Sequence, residues 1–89
     1  MFTTYILYSK KLNKYYTGQT QDLPRRIEEH NRGKTSFMVR GIPWEIVYSM
    51  EFNTRAQAML QEKHIKNRGA KRFLIENNIT GAWRITPPA

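Results

Sequence analysis

The chain has no cysteine. Disulfides and thiolate metal ligands are therefore excluded, and two histidines, His30 and His64, leave little material for a zinc centre. Small secreted domains usually depend on disulfide staples, so the composition favours the cytoplasm. No long apolar run is present. Nothing approaches the roughly 20 residues of a membrane span. Met1-Phe2-Thr3-Thr4 passes straight into a strand-like stretch, so no signal peptide is expected. Internal repeats, low-complexity tracts and linkers are lacking too, which makes 89 residues one domain, expected over 1–79 with a tail over 80–89. Such a chain can bury something above about 60% of its unfolded surface.

Acid is scarce. Seven Asp and Glu face fifteen Lys and Arg, for a net charge of +8. The first 40 residues hold eight basic and three acidic residues and the rest seven and four, so the surplus is spread along the chain and is not a tail. A folded basic domain suits a polyanion, nucleic acid first, although a merely basic protein has the same composition.

Strand formers are plentiful. Thr4–Ser9 reads as a strand, Lys10–Asn13 as a turn and Lys14–Gly18 as the return strand of a hairpin. Asp22 can cap a helix whose first turn holds Pro24, with Leu23 and Ile27 as its apolar contacts and Gly33 as its stop. Residues 34 to 43 read as irregular. Trp44, Ile46, Tyr48, Met50 and Phe52 alternate with Glu45, Val47, Ser49 and Glu51, which predicts a third strand with one large apolar face. Asn53 or Thr54 can cap a second helix over about 54–67, and a third is expected over about 70–78. The order β-β-α-β-α-α gives an α+β fold, a small antiparallel sheet packed by helices.

One polar group stands out from this frame. Tyr16-Thr17-Gly18 closes the second strand, and Arg26 and His30, four apart, share a helix face. Tyr5 and Tyr16 can approach across the hairpin. Glu62 borders the apolar stripe of the second helix, with Ala58, Met59 and Ile65 around it. Each residue has an ordinary alternative: a sheet tyrosine with a solvated hydroxyl (the role expected of Tyr8, Tyr15 and Tyr48), an Asp22–Arg26 helix pair, a C-terminal helix histidine, a Glu62–Lys66 surface pair. Together, phenols, guanidinium, imidazole and carboxylate suit a phosphate ester, with Glu62 as a hard oxygen ligand for Mg²⁺.

The same residues resemble the GIY-YIG nuclease superfamily, most closely its small single-domain UPF0213-type members, from about Tyr5 to Lys66. Thr3-Thr4-Tyr5 stands where that family has Gly-Ile-Tyr, and Tyr16-Thr17-Gly18 stands for Tyr-Ile-Gly. Gly18 to Asn31 resembles the pattern G-x-T-x-D-L-x-x-R-x-x-E-H-N, and Ala58 to Lys66 resembles A-x-x-x-E-x-x-I-K. The resemblance implies a three-stranded antiparallel sheet flanked by about three helices. It also implies an Mg²⁺- or Mn²⁺-dependent endonuclease acting on DNA, in repair or processing. Glu62 would bind the metal, Arg26 would steady charge on the phosphate, Tyr5 or Tyr16 would help deprotonate water, and His30 would assist. Gly18, Gln19, Lys34 and Lys66 would contact substrate. Thr3, Thr4 and Gln19 depart from the family pattern, which bears on substrate and rate more than on fold. Two other readings compete: a nucleic-acid-binding module that stacks bases on Tyr5, Tyr8, Tyr15 and Tyr16, and a protein-interaction domain that docks a targeting partner through the Phe37–Val39 loop or the Trp83 tail.

Overall fold

The hairpin forms first in the chain and supplies the middle of the sheet. A computed structural model describes residues 1–33 and 36–77. Strand β1 (Phe2–Ser9) pairs antiparallel with β2 (Lys14–Thr20), and β3 (Trp44–Phe52) adds antiparallel to the other side of β1, for an order β2-β1-β3. The turn is held by the Leu12 N–H donating to Ser9 Oγ at 3.1 Å and by the Tyr8 hydroxyl donating to Asn13 Oδ1 at 2.9 Å. Asn13 takes the positive φ of 53° that the reversal needs, a conformation asparagine tolerates.

Among the described residues four helices cover the sheet: α1 (Leu23–Asn31), α2 (Ser36–Gly41), α3 (Arg55–Arg68) and α4 (Ala70–Glu76). Asp22 caps α1 by accepting from the Arg25 N–H, Pro24 sits in the first turn, and Gly33 follows its end at φ 74°. Thr54 caps α3 in a full capping box with Gln57. The expected α+β architecture therefore stands, with one more helix than expected. Residues 36–41 are helical where irregular chain was expected, because a six-residue helix is too short to show a period.

The central strand is buried on both sides from Thr3 to Ser9. Tyr5 and Leu7 face Leu23 and Ile27 of α1, Met38 of α2, and Trp44. Ile6 and Tyr8 face Ile65 of α3 and Phe73 and Leu74 of α4. Removing side chains such as Ile65 and Leu74 from water contributes about 1.5–3 kcal/mol each. A hydrogen bond from Thr4 Oγ1 to the Ala58 carbonyl, 2.7 Å long, ties α3 to β1.

The expected alternation of β3 fails. Val47 is buried while Ile46 and Met50 are exposed. The cause is a register shift opposite Ile6 and Leu7, which pair with Tyr48 and Ile46 and leave Val47 between them. An inserted residue reverses the faces beyond it. The tyrosines also depart from expectation. Tyr8 is buried with its hydroxyl on Asn13, and the Tyr15 hydroxyl is buried with no hydrogen-bond partner among the described residues. Only Tyr48 keeps a part-exposed hydroxyl, which accepts from Gln61 Nε2 at 3.1 Å. The Phe37–Val39 stretch lies in α2 and is not a loop, and Met38 is core. The Trp83 tail lies outside the described residues.

Candidate active site

The register of the hairpin sets the site. Tyr5 pairs with Gly18 and Leu7 with Tyr16, which puts both phenols and the glycine on the face covered by α1. A Cβ at Gly18 would stand 2.7 Å from the Tyr5 hydroxyl oxygen, so the missing side chain is what admits that phenol. The Tyr5 and Tyr16 rings lie 6.4 Å apart, centre to centre.

His30, on the last turn of α1, is buried against both. Its ring centre is 4.7 Å from that of Tyr16 and 6.2 Å from that of Tyr5. Nε2 lies 3.3 Å from the Tyr5 hydroxyl and Nδ1 lies 2.9 Å from Met38 Sδ. A thioether sulfur can only accept, which assigns the ring hydrogen to Nδ1. Nε2 is then the acceptor, and Tyr5 donates to it. Met38 is itself held by its carbonyl, which accepts from Trp44 Nε1–H at 3.0 Å. Asn31, next to His30, fixes the end of α1 to β3: its Oδ1 accepts from the Trp44 N–H at 2.7 Å and its Nδ2 donates to the Trp44 carbonyl at 3.3 Å.

Burial and four ionisable neighbours act on the Tyr5 hydroxyl. Burial first, and then Tyr16, hold its proton well above the ordinary tyrosine range near 10. Arg26 pulls in the opposite direction, while Glu62 and Glu29 push the same way as burial. Arg26 and Glu29 belong to α1 on one face of the sheet, and Glu62 belongs to α3 on the other. Because β2 is an outer strand that α3 also packs against, the two layers can meet at its margin.

Arg26 does not pair with Asp22, which is occupied as a cap; it lies 3.5 Å from Glu29 and is 42% exposed. Arg25 shares Glu29 at 3.4 Å. With Gln19, Thr20 and Arg55, these arginines line a polar hollow of about 440 Å³. Glu62 is 21% exposed and meets Lys66 Nζ at 2.7 Å. Among the described residues no three Asp, Glu, His or Cys side chains gather as a metal cage. Mg²⁺ does not require one, since it commonly takes one or two carboxylates and keeps several waters. A half-buried carboxylate paired with an exposed lysine fits that donor set.

Tyr5, Tyr16, Gly18, Arg26 and His30 thus belong to the face that α1 covers, whereas Glu62 and Lys66 stand on α3 across the sheet, and Glu62 reaches the Tyr5 hydroxyl through its charge. Lys34 lies outside the described residues. Met38, Asn31, Arg25 and Arg55 were not legible as site residues: a methionine in a short apolar run carries no signal of its own, and the arginines read as ordinary helix charges. Of the four tyrosines named for base stacking, Tyr5 and Tyr8 are buried and cannot take part, while Tyr15 and Tyr16 are half-buried.

The structure is a three-stranded antiparallel sheet between two helical layers, with a tyrosine pair, an arginine and a histidine on the face that α1 covers. The family model described as the GIY-YIG catalytic domain matches residues 1–75, and the chain belongs to that family. It is similar to the UPF0213 protein HQ_3675A of Haloquadratum walsbyi, 42% identical over 53 residues that cover 58% of this chain and 60% of the relative. It is similar also to the UPF0213 protein YazA of Bacillus subtilis, 35% identical over 69 residues, 74% of this chain and 70% of the relative. The solution NMR structure of the UPF0213 protein BH0048 from Bacillus halodurans shares the fold with a TM-score of 0.55 and 33% identity, covering 94% of this chain and 92% of that one. Among the described residues no helix is long and apolar enough to cross a membrane.

Proposed function

We propose that the chain is a divalent-metal-dependent endonuclease that hydrolyses phosphodiester bonds in DNA. The observation that carries the reading is the confluence at one hydroxyl: Tyr5 donates to His30, lies over Gly18, stacks beside Tyr16 and feels the charges of both Arg26 and Glu62.

The half-exposed guanidinium of Arg26 meets a non-bridging phosphate oxygen, its planar donors matching that geometry. Tyr16, half-buried and nearer solvent than Tyr5, orients the attacking water. Tyr5 is a poor phenolate because burial favours its neutral form, so it serves as a relay. Its oxygen takes the proton of the water as its own proton passes to His30 Nε2. Met38 and Trp44 hold the imidazole in the tautomer that leaves Nε2 open. Water oxygen bonds to phosphorus and the ester P–O bond breaks; the leaving alkoxide takes a proton from solvent water, His30 returns its extra proton to solvent, and the products are a phosphate monoester and a hydroxyl. Glu62 would hold Mg²⁺ or Mn²⁺, with Lys66 swinging to solvent as the metal enters. A bound cation would polarise the phosphoryl oxygens and acidify water.

The test is a panel of labelled single-stranded, duplex, nicked and flapped DNA with Mg²⁺ or Mn²⁺, comparing wild type with Glu62→Gln and Arg26→Ala purified in parallel. Wild type is expected to cleave, and each variant to lose about 100-fold or more. Equal cleavage by all three would expose a contaminant and end the reading. One observation favours a second reading, a nucleic-acid-binding module without turnover: the Glu62–Lys66 contact already satisfies the carboxylate. That module would bind in a salt-sensitive way, indifferent to EDTA, and give no product.

A further inference from the structure

Strand β2 separates two hollows. Beyond Gly18, Gln19 and Thr20 join the arginine-lined one. Before it, the Tyr15–Thr17 stretch borders α4 across a groove of about 910 Å³, inside the range of about 300–1,000 Å³ typical of ligand clefts, with Tyr15 supplying the ring on the α4 side. Ala70 and Ile75 give the groove an apolar wall opposite Tyr15, and Lys66, Lys71 and Arg72 stand along it.

The acid in this groove is spoken for. Glu76 takes two hydrogen bonds from Arg68, at 2.7 and 2.5 Å, and lies 3.6 Å from Arg72. Lys66 is engaged by Glu62, and Lys71 has no ion pair among the described residues. The groove is therefore apolar inside and cationic along its edge. Duplex DNA offers phosphates outward and hides its base faces. A single strand offers both at once, phosphates for the cations and unstacked bases for an aromatic and aliphatic wall. Tyr15 stands three residues from Gly18, about 10 Å at ~3.3 Å per strand residue, so a strand whose reacting phosphate lies at Gly18 brings its neighbouring nucleotides into the groove.

We propose that the groove between β2 and α4 binds a single-stranded stretch of nucleic acid adjoining the reacting phosphate. Resting on the nuclease reading, this makes the substrate class DNA with an unpaired arm, not blunt duplex.

The test is fluorescence anisotropy of a labelled oligothymidylate and of a blunt duplex with the same number of phosphates. It is run in EDTA over a salt series, with the full chain as wild type, as Lys71→Gln/Arg72→Gln, and as Arg40→Gln. Arg40 is exposed on α2, away from the groove. Wild type is expected to prefer the single strand. The double variant should lower the slope of log K against log salt by about 1.4, from about 0.7 for each lost contact, while Arg40→Gln leaves it unchanged. Amide shifts of Gly69, Ala70 and Ile75 on titration with the oligothymidylate give a second readout. Equal slopes for wild type and double variant, preference for the duplex, or shifts located elsewhere would overturn the proposal. Binding in EDTA is read without turnover. Binding with no cleavage defeats the nuclease reading alone, and cleavage with unchanged slopes defeats the groove alone.

Discussion

Gly18 faces Tyr5 across the hairpin with no room for a side chain: a methyl there would lie 2.7 Å from the hydroxyl oxygen and 2.9 Å from ring Cζ. The phenol is 1% exposed and cannot swing outward without opening the core around Leu7 and Met38.

Gly18→Ala should therefore destabilise the chain by about 1–3 kcal/mol, the usual cost of overpacking. Urea unfolding measures it. In Tyr5→Phe the nearest of the two contacts disappears, so the double variant Gly18→Ala/Tyr5→Phe should lose less than the sum of the single changes. Strict additivity would show that the ring does not feel the added methyl.

Alkali should weaken the fold through the same residue. The folded chain holds the Tyr5 proton more tightly than the unfolded chain, where the phenol titrates near 10. Tyr15 is shifted upward as well, by burial first and then by Tyr8. Both neutral phenols contribute their full stability below about pH 10. That stability is lost as rising pH ionises the unfolded chain first, up to the raised folded values. Urea midpoints between about pH 8 and 11 should fall more steeply for wild type than for Tyr5→Phe. Parallel curves would contradict the burial argument.

Tyr15→Phe should be neutral or stabilise the chain by up to about 1 kcal/mol, because it removes a buried hydroxyl that has no partner among the described residues. Thermal or urea unfolding decides it. A loss of more than about 1 kcal/mol would reveal a hydrogen bond that the structure does not contain.

What could be read in the sequence was local. Asp22 and Thr54 announce their helices because a cap needs only the next few residues, and Gly33 announces an end for the same reason. The hairpin and its tyrosine–glycine pairing follow from one turn and an alternating pattern. Long-range effects stayed out of sight. The shift in β3 that buries Val47 depends on how the strand meets Ile6 and Leu7. The His30–Met38 and Asn31–Trp44 contacts join residues 8 and 13 apart through folded geometry. Which phenol lies deep and which lies near water is decided by packing, and Tyr5 and Tyr16 look alike in the sequence.

The proposed catalytic group draws on the innermost strand, an outer strand and a helix from each layer. No shorter piece of the polypeptide holds it together, and partial opening of either layer would scatter it. Turnover should consequently vanish in one step with the far-ultraviolet dichroism during denaturation, which makes catalysis a gauge of whether the whole sandwich is intact.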